Sequence, residues 1–452
     1  MKTLWQKQGD TTDDRSFFHE FTTAEDRYWD HYLIPYDILV NIAQAMMLER
    51  IGVYSPEELQ KVTGCLQKLY TEWEAGGFTL SEEDEDVHSA TEKTLTDRVG
   101  DAGKRIHTGR SRNDQVLADV NLALKSEIRT LAASILEVIT HLERIGKQQE
   151  GIFFAGMTHT QPAMPSSADA WCAGYIHLLL GDLQSLRHSY ELIDTCPLGS
   201  AAGYGVPYIP VDREFIAEQL GFSGITTAVT AAQLTRTSSV LRVIHAMEYT
   251  ALSFNRLASD VIEFLRLGIV DLADNQTSGS SIMPQKRNPD LWELIRSGYH
   301  RLSGAGRELS GIPANLTSGY HRDLQPVKAI VMKSLQQTQN LSRAVSFGLE
   351  GMSFNEFGCA ETINSEVMAT HYANNLVNHG VPFREAYRQT AAEIDKIPVE
   401  GNETIKQSYK HSGAPGTFPA ADAINHTKKQ IESWLHHEQQ KWEKIEGGLV
   451  NR

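Results

Sequence analysis

Apolar residues recur at steps of three and four along two unusually long stretches of the chain. The first runs Val120, Leu124, Ile128, Leu131, Ile135, Val138, Leu142, Ile145. The second runs Val240, Ile244, Met247, Ala251, Phe254, Ala258, Val261, Leu265, and Gly268 closes it. Such steps place one apolar stripe on one face of an α-helix, and neither stretch contains proline. Helices of about 30 residues span about 45 Å, against a usual mean of about 11 to 12 residues. A narrow seam of that length needs long partners lying nearly antiparallel, which predicts a helical bundle. Segments 167–195, 289–311 and 323–349 supply further members. Gly- and Pro-containing connections between the ladders favour a bundle over an isolated coiled coil.

Shorter patterns flank the bundle. Candidate helices at 30–51, 56–75 and 86–99 precede it, with an acidic turn at Ser81-Glu82-Glu83-Asp84-Glu85-Asp86. After about residue 352 the helices shorten around a Gly/Pro loop, His411 to Pro419, and a final polar-faced helix is predicted from about Ala421 to Glu446. No strand-rich region, internal repeat or low-complexity segment stands out. The fold class is all-α.

Composition narrows the function. The chain has 452 residues, long for one compact core, with 41% hydrophobic residues and a net charge of −15. That charge argues against nucleic acid as a partner, because phosphate backbones need a basic face. An anionic small-molecule substrate would need a locally cationic site within this acidic surface. Cys65, Cys172, Cys196 and Cys359 lie far apart without metal-ligand spacing, which points to free thiols in a reducing compartment. No run approaches the ~18 to 20 apolar residues that cross a bilayer, and the first residues carry no apolar signal core. The expected location is the cytoplasm, with no membrane partner.

Chemistry concentrates in Gly279-Ser280-Ser281-Ile282-Met283-Pro284-Gln285-Lys286-Arg287-Asn288-Pro289-Asp290. Asn288 suits an N-cap, Pro289 the first helical position and Asp290 the first turn. The loop therefore delivers Lys286 and Asn288 to a helix N-terminus, where backbone N–H groups favour an anion. Such a loop suits a small carboxylate that acquires extra negative charge. Dinucleotide loops, phosphate loops, zincin spacing, EF-hands and the serine-hydrolase elbow are not found.

This string resembles the signature of the aspartase/fumarase superfamily, whose members release fumarate by eliminating an amine or water. Lys104 to Val116 and Gly319 to Gln325 are similar to blocks of the argininosuccinate lyase family, and the likeness runs from about Glu85 to about Lys328. It implies three mostly helical domains: 1–107, 108–352 with the bundle and signature loop, and 353–452. It further implies a homotetramer sharing one central bundle, with each site assembled from three subunits. The implied reaction is reversible β-elimination of argininosuccinate to arginine and fumarate, without cofactor or metal.

That elimination removes a weakly acidic proton beside a carboxylate, so pre-placed positive potential in a dry pocket is the main requirement. By resemblance Ser280 is the base, supported by Lys286 and by loop N–H groups that stabilise an alkoxide. Gly279 offers freedom for the loop to close. His159, in Met157-Thr158-His159-Thr160-Gln161-Pro162, would protonate the leaving nitrogen, with Glu293 as its partner and Thr158 on a carboxylate. Substrate contacts are implied for Asp86, His88, Ser111, Arg112, Asn113, Arg236, Asn288, Tyr320, Gln325 and Lys328. An acidic Asp86 is chemically sensible opposite a guanidinium leaving group. Arg236 and the histidine block depart from the commoner family pattern, which bears on the amine portion of the substrate. The alternatives are a lyase releasing fumarate from another N-substituted aspartate, and a non-catalytic crystallin-like protein.

Overall fold

A computed structural model describes residues 12–418 and 422–451. The chain begins with α1 (Thr12–Asp30), α2 (Ile34–Arg50), α3 (Pro56–Glu74) and α4 (Val87–Val99). Ser55 and Glu58 form a capping box on α3, and Asp86 with Ser89 forms another on α4. The expected helices at 30–51, 56–75 and 86–99 are thus present, and α1 is an addition.

The first long helix, α5 (Arg112–Gln148), spans 37 residues. It starts eight residues before the Val120 ladder because Ser111 caps it, in a box closed by Asp114. A hairpin of β1 (Phe153–Thr158) and β2 (Gln161–Ser167) follows. Next come α6 (Ala168–Ile193), the short α7 (Arg213–Gln219) and α8 (Ala231–Leu267), again 37 residues. Gly268, at φ 73°, ends α8 in the left-handed cap that its position predicts. β3 (Val270–Leu272), the signature loop, α9 (Asp290–Gly311) and α10 (Val327–Glu350) complete the bundle. β4 (Met352–Phe354) pairs with β3. The chain ends with α11 (Glu356–Glu361), α12 (Ala369–Asn378), α13 (Phe383–Ala392), α14 (Asn402–Ser408) and α15 (Asp422–Val450).

Polar ties between helices fix their directions. Asp260 near the end of α8 accepts from Trp171 and Tyr175 near the start of α6, at 2.9 and 2.7 Å. Asn255 on α8 donates to the Arg296 carbonyl on α9 at 2.6 Å. Gln339 on α10 donates to the Glu127 carboxylate on α5 at 2.7 Å. α6 and α9 therefore run antiparallel to α8, and α10 runs alongside α5. Every position of the α5 ladder is buried, as are those of α8 up to Val261, while Leu265 is half-buried.

One main core joins the first four helices, the bundle and α15. A smaller cluster of Phe153, Ala155, Ile363, Val367, Met368, Ile397 and Ile405 sits under the hairpin and the short C-terminal helices. Among the described residues no helix is long and apolar enough to cross a membrane.

The α9–α10 contact anchors the signature loop. Trp292, two residues into α9, is fully buried. Its ring lies where a Cβ on Gly348 would fall, 2.5 Å away. Gly348→Ala is expected to force the ring out and destabilise the protein by about 1–3 kcal/mol. Urea unfolding measures this, and an unchanged midpoint would show that the close approach is dispensable.

Candidate active site

The implied substrate residues other than Thr158 and Asn288 gather where α4, α5, α8 and α10 begin. Asp86 caps α4 through Ser89 N–H at 2.8 Å and turns its second oxygen to Arg112, 2.9 Å away. Arg112 lies 3.1 Å from Glu85 as well. Ser111 accepts from Asn113 N–H, so its hydroxyl serves the helix start. Arg236 is buried, donates to the Asn113 carbonyl at 3.2 Å and lies over the Tyr320 ring at 5.2 Å. Gly319, at φ 104°, sets the turn before Tyr320 and leaves the Tyr204 hydroxyl only 3.0 Å from its missing Cβ. Gln325 donates to the Thr22 carbonyl at 2.7 Å.

Two of these residues face inward. Lys328 is buried between Asp26, at 2.7 Å, and Asp30. Burial opposes its charge, but the two carboxylates outweigh burial and hold it protonated. His88 is buried and donates through Nδ1 to Asp37 at 2.7 Å. Burial again works against its charge, and Asp37 raises its pKa to about 9. Burial pushes the Asp86 carboxyl up, yet the charges of His88 and Arg112 hold it below its ordinary value. This end of the bundle therefore carries fixed charges of both signs.

The signature loop lies at the far end of α8. Ser278 and Asn288 exchange backbone hydrogen bonds of 3.1 and 2.8 Å that close its base. Arg287 ties it down through the Leu272 carbonyl at 2.9 Å and Asp274 at 2.6 Å. Ser280 Oγ accepts from the amides of Ile282 and Met283 at 3.3 and 3.2 Å. Lys286 is exposed and has no ion-pair partner among the described residues. The helix start differs from expectation by one residue. Pro289 occupies the cap, and the Asn288 amide is spent on Gly279 O at 3.2 Å and Ser278 Oγ at 3.4 Å. Gly279 has open space where a Cβ would lie, so no steric demand fixes it in this conformation.

His159 and Thr160 form the two-residue turn of the β1–β2 hairpin, with φ values of 53° and 63°. Such a turn ordinarily takes Asn-Gly, and two non-glycine residues there carry strain. The turn presents His159 and Thr158 to solvent. Glu293 is exposed on the first turn of α9 and makes no hydrogen bond or ion pair to His159 within this chain. The sequence conceals this hairpin because Gly156, Pro162 and Pro165 break the usual strand pattern.

A single chain does not unite these groups. From Arg236 to Leu267, α8 rises about 46 Å, and Ser280 lies beyond that end. His159 follows the far end of α5, about 54 Å from Arg112 along the helix. The Arg112 cluster and the Ser280 loop therefore lie at opposite ends of the long helices.

Comparisons with known proteins identify the family. Residues 10–304 match a family described as Lyase. An argininosuccinate lyase of Thermotoga neapolitana is 38% identical over 395 residues, covering 87% of this chain and 98% of that protein. One of Sorangium cellulosum is 39% identical over 421 residues, 93% of this chain and 97% of its own length. Among solved structures, EDDS lyase in complex with formate superposes with a TM-score of 0.79 at 19% identity, over 98% of this chain and 95% of that one. At that identity the likeness concerns the fold.

The His88–Asp37 pair makes stability depend on pH. The His88 pKa rises from 6.5 to about 9 on folding, so its contribution is complete below 6.5 and disappears as pH passes about 9. Asp37 is held below its ordinary 3.8, so its contribution weakens only as pH falls past that value. Urea unfolding of the protein and of His88→Gln is expected to differ most between these limits, with the gap closing toward pH 9. A gap that widened on the alkaline side would contradict the pairing.

Proposed function

The chain belongs to the argininosuccinate lyase family, and from that membership we propose that it splits argininosuccinate reversibly into arginine and fumarate. It is a carbon–nitrogen lyase by this reading. The observation that carries the mechanism is the pair of amides on Ser280 Oγ, from Ile282 and Met283. An unperturbed serine hydroxyl is a poor base. Two oriented N–H donors and the ammonium of Lys286 from the same loop favour its alkoxide, which then takes the proton from carbon. The electron pair left behind delocalises into the adjacent carboxylate. Asn288 and the α9 N-terminus add positive potential to that carboxylate. Expulsion of the leaving nitrogen follows, with His159 delivering its proton and Glu293 orienting the imidazole. Asp86 faces the guanidinium of the leaving arginine, and Arg112, Asn113, Thr158, Arg236, Tyr320 and Gln325 hold the rest of the substrate.

The working form is a homotetramer in which three chains contribute to each site. The separation of the Arg112 and Ser280 regions along α8 supports this reading. So do apolar side chains left exposed on the bundle: Leu234, Tyr249 and Leu252 on α8, Leu294 on α9 and Phe347 on α10. A cytoplasmic location fits the four unpaired cysteines.

Fumarate release from a panel of N-substituted aspartates tests the substrate. Argininosuccinate is expected to be preferred, and preference for another adduct would replace it. Ser280→Ala is expected to lower turnover by about 10²–10⁴-fold while substrate binding persists. Near-normal turnover would remove Ser280 from the mechanism. Mixing Ser280→Ala chains with His159→Asn chains, each inactive alone, is expected to restore part of the activity. Mixed tetramers would contain some sites with both groups intact. Failure of the mixture to recover any turnover, with mixed tetramers present, would argue against shared sites.

A further inference from the structure

We propose that Asp37 is a positioning residue for the elimination: through His88 it fixes Asp86, at the N-cap of α4, against Arg112. The proposal rests on the lyase reading and deepens it at the arginine end of the substrate.

The geometry is a bracket around one helical turn. His88 is the second residue of α4, two after Asp86, and its Nδ1 donates to Asp37 Oδ1 at 2.7 Å. Asp37 cannot swing away. Gln115 on α5 donates to the same oxygen at 2.7 Å, and Asn41 donates to the other at 3.1 Å. A second tie acts on the intervening residue, where Val87 N–H donates to Asp30 at 3.0 Å. Two carboxylates from α1 and α2 therefore hold the turn that carries Asp86. Neither of them is exposed, and Asp37 has 0% of its surface in solvent.

Charge explains why an ion pair stands here instead of an apolar contact. Burying a carboxylate and an imidazolium has a desolvation cost that a hydrophobic pair avoids. The cation that Asp37 maintains on His88 acts on Asp86, whose acidity follows from it. The groups facing His88 are Asp37 from α2, Asp119 from α5, Asp86 at the cap of its own helix, Asp30 from α1 and His107 from the turn before α5. Arg110 donates to Asn41 Oδ1 at 2.7 Å and lies within electrostatic reach of Asp37 and Asp119. Asp37, His88 and Asp119 lie close enough to hold a metal ion. A divalent ion fits poorly, because Asp37 Oδ1 already accepts two hydrogen bonds and Arg110 brings a second cation.

Asp37→Asn keeps the size and the acceptor oxygen while removing the charge. It is expected to raise KM for argininosuccinate about tenfold or more, with kcat changed less than about threefold. Unchanged KM, or a loss confined to kcat, would overturn the role. The ¹⁵N resonances of His88 in the unaltered protein provide a readout that survives a folding failure of the variant. An imidazolium at neutral pH that titrates near 9 is expected. A neutral ring at neutral pH would overturn the role equally. If the unaltered protein releases no fumarate, the lyase reading falls and this role with it. If it does release fumarate while Asp37→Asn keeps its KM, this role falls alone.

Discussion

The rise of an α-helix, about 1.5 Å per residue, is the constraint on which the rest of this molecule depends. α5 and α8 each run 37 residues without a break. Groups at their two ends cannot meet inside one chain, however the loops are arranged. The same packing sorts helix starts. α4, α5, α8 and α10 begin at one end, and α6 and α9 begin at the other. Each end therefore gathers positive helix dipoles, and each also carries basic side chains, Arg112 and Arg236 at one and Lys286 at the other. A doubly charged acid suits such a distribution even though the chain as a whole has a net charge of −15.

The two ends differ in how they hold their charges. Around Asp86 the ionic groups are buried and cross-linked. Lys328 meets Asp26 and Asp30, His88 meets Asp37, and Asp30 also takes an amide of α4. Dipoles fixed in this way need no rearrangement when a ligand arrives. The signature loop is exposed, and its ties lie at its base, through Ser278, Asn288 and Arg287. The charges at one end are thus held rigidly, while the loop at the other end is left accessible.

Much of the framework was legible because its signals are local. The α5 and α8 ladders, the Gly268 stop and the short N-terminal helices all follow from spacing and capping within a turn or two. The misses have local causes as well. Prolines in β2 concealed the hairpin, and a His-Thr turn at positive φ lacks the usual Asn-Gly mark. Asn288 reads as a cap, but its amide completes the loop closure instead. Asp37 carries a weak signal in the sequence: a lone carboxylate within the apolar run from Leu33 to Val40 must find a buried partner.

The amino-acid order by itself determined the long helices, their approximate ends and which polar groups the loop around Ser280 carries. These depend on neighbours within a few positions, where hydrogen bonds and side-chain spacing repeat with the helix turn. Only the tertiary structure decided that Lys328 and His88 face inward, and that Arg112 and Ser280 lie at opposite ends. Those outcomes depend on which residues, dozens to hundreds of positions apart, share a buried junction. The cost of burying a charge is set by that junction and leaves no mark on the local pattern.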